Sequence, residues 1–247
     1  MDIGQLERTY DNSRTKILIN GVLAIILIGF GVLSIVVGSG TLILLIGIAA
    51  LVGGLSFMIS TFLRNVGRRI SVYTHGVAVK VRNQTSQYRY EAISGLQVEA
   101  LQQGGNRFAL IDFAFYKDGK PLFAIGPVYD DWREGGQLLV EKVSDIQARL
   151  KTERIQDGYE VVFDELSGSR LGHQLVVKAN LQGVVEVGKD VLPWERVGYC
   201  ETDTKSNDIV IYDVDSNPYS RFRYYNTTNS IIAMKIINQM VQVRGKR

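Results

Sequence analysis

The apolar residues of this chain are segregated rather than spread. Between Ile17 and Leu63 there is no Asp, Glu, Lys, Arg or His, and Gly38-Ser39-Gly40 divides the run into Ile17–Val37 and Thr41–Leu63. At ~1.5 Å per residue each stretch spans roughly the 30 Å of a bilayer's hydrocarbon core. Backbone amides in lipid need internal partners, so the pattern predicts two transmembrane helices, 17–37 and 41–63, joined by a tight turn. A signal peptide would have a shorter apolar region and no second span behind it. Residues 1–16 read as a polar cytoplasmic tail.

After Leu63 the period changes from helical to alternating, and the pattern is written twice. Thr74–Val79 is an alternating run that leads through a polar turn to Tyr90-Glu91-Ala92-Ile93; Leu181–Val187 leads in the same way to Trp194-Glu195-Arg196-Val197. Each copy continues with a hairpin. Phe108–Tyr116 and Pro121–Ile125 flank the turn residues 117–120, and Asp208–Val214 and Ser220–Tyr225 flank Asp215-Ser216-Asn217-Pro218. Each copy closes with an amphipathic helix. The first starts near Asp130-Asp131 and presents Trp132, Leu139, Val143, Ile146 and Leu150; the second is capped within Thr227–Asn229 and presents Ile232, Ile236, Met240 and Val241. The copies join near Lys151–Gly158, and Tyr159–Glu165 reads as one more strand, assigned to neither.

Antiparallel strands ending in one helix resemble the pleckstrin-homology-like (PH-like) fold. The chain is most similar to uncharacterised bacterial membrane proteins that join a two-helix hairpin to tandem PH-like domains. Gly76, Tyr90, Glu91 and Ile93 carry the likeness in the first copy, and Gly183, Trp194, Glu195 and Val197 in the second. The resemblance implies an α-helical transmembrane hairpin followed by α+β structure: two antiparallel β-barrels or curved sheets at 64–150 and 151–247, each closed by its helix. Copies of this size are short for the fold, so a strand is missing from one or shared between them.

Charge sets the orientation. Arg8, Arg14 and Lys16 precede the first helix, Arg64, Arg68 and Arg69 follow the second, and the connecting turn carries none. The positive-inside rule then places both termini and all the β structure in the cytoplasm of a cell (inner) membrane protein. The Asn83 and Asn226 sequons are not expected to be glycosylated on that side. Arg64, Arg68 and Arg69 emerge at headgroup level and are the candidates for lipid contact, although three charges fall short of the four to eight usual for lipid recognition. Ala49 with Gly53, and Ala50 with Gly54, permit close helix packing within the hairpin.

The net charge of +3 over 247 residues excludes a nucleic-acid footprint. Cys200 is alone, so no intrachain disulfide forms, and His75 and His173 are too isolated for a metal centre. No cofactor is expected. Gln103-Gly104-Gly105-Asn106 lies between strands, out of the context a phosphate loop needs. Asp130, Asp131 and Glu134 suit a helix N-terminus better than an acid cluster. With no catalytic motif, the expectation is a non-enzymatic protein whose modules bind a protein segment, for example by strand addition at a free edge, or lipid headgroups. The alternative is an accessory subunit of a transporter or channel assembly, with self-association of the helices left open.

Overall fold

The computed structural model describes residues 2–38, 40–65, 67–103, 107–167, 174–203 and 205–244. Ser39, the glycine-rich residues 104–106, His173 and the tail residues Lys246 and Arg247 lie outside them. Two helices follow an N-terminal strand: β1 (Leu6–Asp11), α1 (Arg14–Val37) and α2 (Thr41–Asn65). Both helices are long and apolar enough to cross a membrane. Their large side chains point outward, with Leu18 69% and Val36 75% exposed, unlike the core helix of a water-soluble domain.

The helices meet through glycine. A Cβ on Gly31 would lie 2.7 Å from the Leu51 amide nitrogen, and one on Gly54 would press on Ile28. Of the small-residue pairs read from the sequence, Gly54 makes this contact, whereas Gly53 faces open space, as do Gly21 and Gly29.

The remaining strands are β2 (Arg68–Tyr73), β3 (Gly76–Val81), β4 (Gln84–Arg89), β5 (Gly95–Gln102), β6 (Phe108–Lys117), β7 (Lys120–Ile125), β8 (Val161–Ser167), β9 (Gln174–Ala179), β10 (Gly183–Glu186), β11 (Leu192–Pro193), β12 (Val197–Asp203), β13 (Asp208–Asp213) and β14 (Pro218–Arg223). Helix α3 (Trp132–Gln156) follows β7, and α4 (Ser230–Arg244) follows β14. The strands form four antiparallel sheets, ordered β1-β2-β3-β4, β5-β6-β7, β11-β10-β9-β8 and β12-β13-β14.

These sheets are not closed barrels, which corrects that part of the expectation. The ladder is interrupted in each half by a short 3-10 turn, Tyr90–Ala92 or Trp194–Arg196, which separates a four-stranded from a three-stranded sheet. The strand read at 159–165 is β8, and it pairs with β9.

The chain divides into two compact units, Met1–Gln87 with Val128–Trp132, and Tyr88–Pro127 with Arg133–Arg247. Residues 150 and 151, where the sequence reading puts its boundary, lie inside α3 and within the second unit. The N-terminal segment is more than a tail. Its β1 pairs antiparallel with β2, joining chain from before the helical hairpin to chain from after it.

In the second unit Gly136 lets α3 approach the β5–β7 sheet, since a Cβ there would lie 1.9 Å from the Phe113 ring. The buried stripe of α3 runs through Leu139, Val143, Ala148 and Ile155, while Ile146 and Leu150 are only half-buried. On α4 the expected Ile232, Ile236 and Met240 are buried, joined by Ala233 and Ile237, and Val241 is half-buried. Thr152 donates to Gln239 across the two helices at 3.0 Å.

Candidate functional site

The end of the first sheet nearest the helical hairpin concentrates charge. Strand β1 sets Asp11 opposite Arg69, whose Nε and Nη2 donate to the two carboxylate oxygens at 2.5 and 3.3 Å. Arg68 is half-buried and turned to the Tyr129 hydroxyl, which burial pushes above its ordinary pKa against the pull of the guanidinium. Arg64 belongs to α2, and its side chain lies outside those described. The three arginines picked from sequence therefore differ in setting: one is engaged by an acid and one is turned to a phenol.

Two cations that the sequence reading passed over come to the same end. The β2–β3 register pairs Arg69 with Lys80 and Arg68 with Val81. The Arg82 N–H donates to Gly67 O at 2.8 Å, and Arg82 takes a positive φ of 55° to turn the chain. The signal was present in sequence only as Lys80-Val81-Arg82, and its relevance needed the register.

The residues carrying the repeat likeness are architectural in setting. Tyr90 and Trp194 are buried to 0% and 1% exposure, Ile93 and Val197 are buried, and Glu91 and Glu195 are exposed. These aromatic and acidic residues sit in the 3-10 turns, where successive side chains point about 120° apart, so one turn buries the ring and exposes the acid. Gln147 of α3 donates to the Tyr90 and Glu91 carbonyls, and Trp194 Nε1 donates to Asn180 O at 2.7 Å. Gly183 starts β10 where a Cβ would lie 2.2 Å from Leu192 O, and buried Gly76 starts β3.

Edges expected to be open for strand addition are partly closed. Asn226 and Asn229, both at positive φ, lie along β5. Their backbone N–H groups donate to the Val98 and Leu96 carbonyls at 2.9 and 2.8 Å. The Asn226 side chain accepts from Ala100 N and donates to Ala100 O, each at 2.9 Å, and Asn229 Oδ1 accepts from Leu96 N at 3.3 Å. On β12, Asn238 of α4 makes the same two-way contact with the Cys200 backbone at 3.0 and 2.8 Å. A crevice of about 250 Å³, lined by Val98, Phe113, Ile231 and Met234 together with the polar Gln137, Glu141 and Lys235, lies beside the β5 edge.

Among the titratable groups, Glu99 and Asp112 face each other across β5 and β6. Burial first, and Glu99 second, push Asp112 to about 6, and its Oδ1 has no hydrogen-bond partner among the described residues. The acid pair Asp203 and Asp208 lies across β12 and β13, where Arg221 reaches both at 3.2 and 3.6 Å. Asp203 is held low, chiefly by the Lys205 N–H, and Asp208 is raised by burial. Burial also raises the Cys200 thiol. His75 is exposed in a turn, and Asp130 and Asp131 precede α3, with Glu134 in its first turn. Among the described residues no three His, Cys, Asp or Glu side chains group as a metal site. No protein-family model matches the chain, and no curated protein matches it.

Proposed function

We propose that this chain is a non-enzymatic, multi-pass membrane protein whose tandem PH-like modules serve as cytoplasmic binding surfaces. The observation that carries the reading is the β1–β2 pair. Two strands in hydrogen-bond register, about 5 Å apart, bracket the helical hairpin. If the two helices cross the bilayer, their outer ends must then emerge on one side, which agrees with the flanking basic residues. The hairpin becomes an insertion between the first and second strands of the first module. The strand missing from the short first copy is β1, supplied from upstream of the membrane.

Element order supports the tandem reading. A four-stranded sheet, a 3-10 turn with a buried aromatic, a three-stranded sheet and a helix occur in sequence twice. Binding falls to the uncovered surfaces, because Asn226, Asn229 and Asn238 already engage the β5 and β12 edges.

The test is labelling of single cysteines in a Cys200→Ser background with a membrane-impermeant maleimide on intact cells. A cysteine at Gly40 is expected to react, and cysteines at Thr9 and His75 only after lysis. Reaction of Thr9→Cys in intact cells would overturn the topology.

The accessory-subunit reading has one observation in its favour. Gly21, Gly29 and Gly53 leave open space on helix faces turned away from the hairpin's own contact, as close approach by another helix requires. A stoichiometric polytopic partner in a detergent pull-down favours it; recovery of the chain alone counts against it.

A further inference from the structure

Building on the membrane reading above, we propose that the hairpin end of the first sheet is a contact surface for anionic phospholipid headgroups, and that Lys80 and Arg82 add to its cations. The placement comes from the register. Strand β2 begins at Arg68, three residues after α2 ends at Asn65, so this end of the sheet follows the helix closely in sequence. Strand β3 runs back toward the same end and finishes with Lys80 and Val81, paired with Arg69 and Arg68. The following turn is held there by the Arg82 N–H to Gly67 O bond and by close backbone approach, since a Cβ on Gly67 would lie 3.2 Å from Arg82 Cα. Lys80 and Arg82 are both exposed, and between them Val81 is 41% exposed. An apolar side chain flanked by two cations suits the boundary between acyl chains and headgroups.

The charge balance at this end favours anions. Asp11 is engaged by Arg69. Asp130, whose N–H donates to Asp11 O, and Asp131 lie on the β1 flank, away from the β3–β4 turn. The first four residues of β4, Gln84-Thr85-Ser86-Gln87, carry no charge. With Arg14, Lys16 and Arg64 at the helix ends in sequence, and Arg68 and Arg69, the basic residues at this end number seven. That is within the range that reads as binding to an anionic leaflet, and the interaction is electrostatic and weakened by salt.

The test reconstitutes the full-length protein in vesicles of phosphatidylcholine and phosphatidylglycerol, with spin-labelled analogues of each lipid. The motionally restricted fraction of each label gives the selectivity. Wild type is expected to prefer phosphatidylglycerol, and the preference should shrink at 1 M salt. Lys80→Gln/Arg82→Asn, which keeps a residue tolerant of positive φ in the turn, should lose selectivity by roughly threefold. Lys80→Arg/Arg82→Lys should retain it, which separates charge from misfolding. Wild-type selectivity in the neutral variant, or no preference in the wild type, overturns the proposal while leaving the membrane reading intact. Extraction of the wild type from the vesicles by alkaline carbonate overturns both.

Discussion

The two four-stranded sheets have the same order and differ most in one connection. In β8–β11 the first and second strands are joined by residues 168–173; in β1–β4 the corresponding connection is residues 12–67 and contains both apolar helices. The lesson is that the strand pair, rather than the length of chain between its members, defines the sheet. Loop-closure entropy grows only slowly with length, and a helical hairpin returns its own ends to the same place. An element that dominates the hydropathy profile can therefore be, in the architecture, an insertion between two strands.

The comparison breaks most severely if the buried aromatics are not equivalent. Trp194→Ala and Tyr90→Ala should each cost about 3–5 kcal/mol, read as a fall in urea midpoint in detergent. A large loss for one and none for the other would mean that the two 3-10 turns do different jobs.

Next in size is the edge clamp, where the halves differ. Asn226→Ala removes both side-chain bonds to Ala100 and strains a position at φ 56°. A loss of about 2 kcal/mol is expected, with faster hydrogen exchange at Ala100 than at Cys200. Equal acceleration at both amides would show that the β5 and β12 edges are not closed independently.

The acid pairs give the smallest effect. Asp203 and Asp208 share Arg221, whereas Asp112 faces Glu99 and is raised to about 6. A carboxyl raised in the folded state binds its proton more tightly there. Its contribution is full below its ordinary value of 3.8 and is lost as pH rises through about 6. Asp112→Asn should therefore stabilise at pH 7 by on the order of 1 kcal/mol, after allowing for solvent screening, and flatten stability between pH 7 and 5. An unchanged pH profile would remove Asp112 from the account.

Much of the fold was legible where the signal is local. The uncharged run gave both helices; Phe108–Tyr116 and Asp208–Val214 gave strands close to those observed; the α4 stripe was largely correct. What escaped was non-local. Leu6-Glu7-Arg8-Thr9-Tyr10-Asp11 buries only Tyr10, so it shows almost no hydrophobic alternation, and its partner strand lies beyond the hairpin. The barrel expectation failed because the 3-10 turns at Tyr90–Ala92 and Trp194–Arg196 divide the strands into separate sheets. Asn226 looked like a sequon just before a helix cap; nothing local could show that its amide meets β5. Lys80 and Arg82 gained meaning only from the β2–β3 register.

The most direct measurement excises the hairpin. Replacing residues 14–65 with a short Gly-Ser linker should yield a protein that is soluble without detergent and unfolds in urea with a cooperative loss of β circular dichroism, because β1 still pairs with β2. Removing residues 1–65 outright should leave β2 without that partner and give an aggregating chain. If the linker variant is unfolded, or if the chain lacking residues 1–65 folds equally well, the strand pair is not what the sheet is built on.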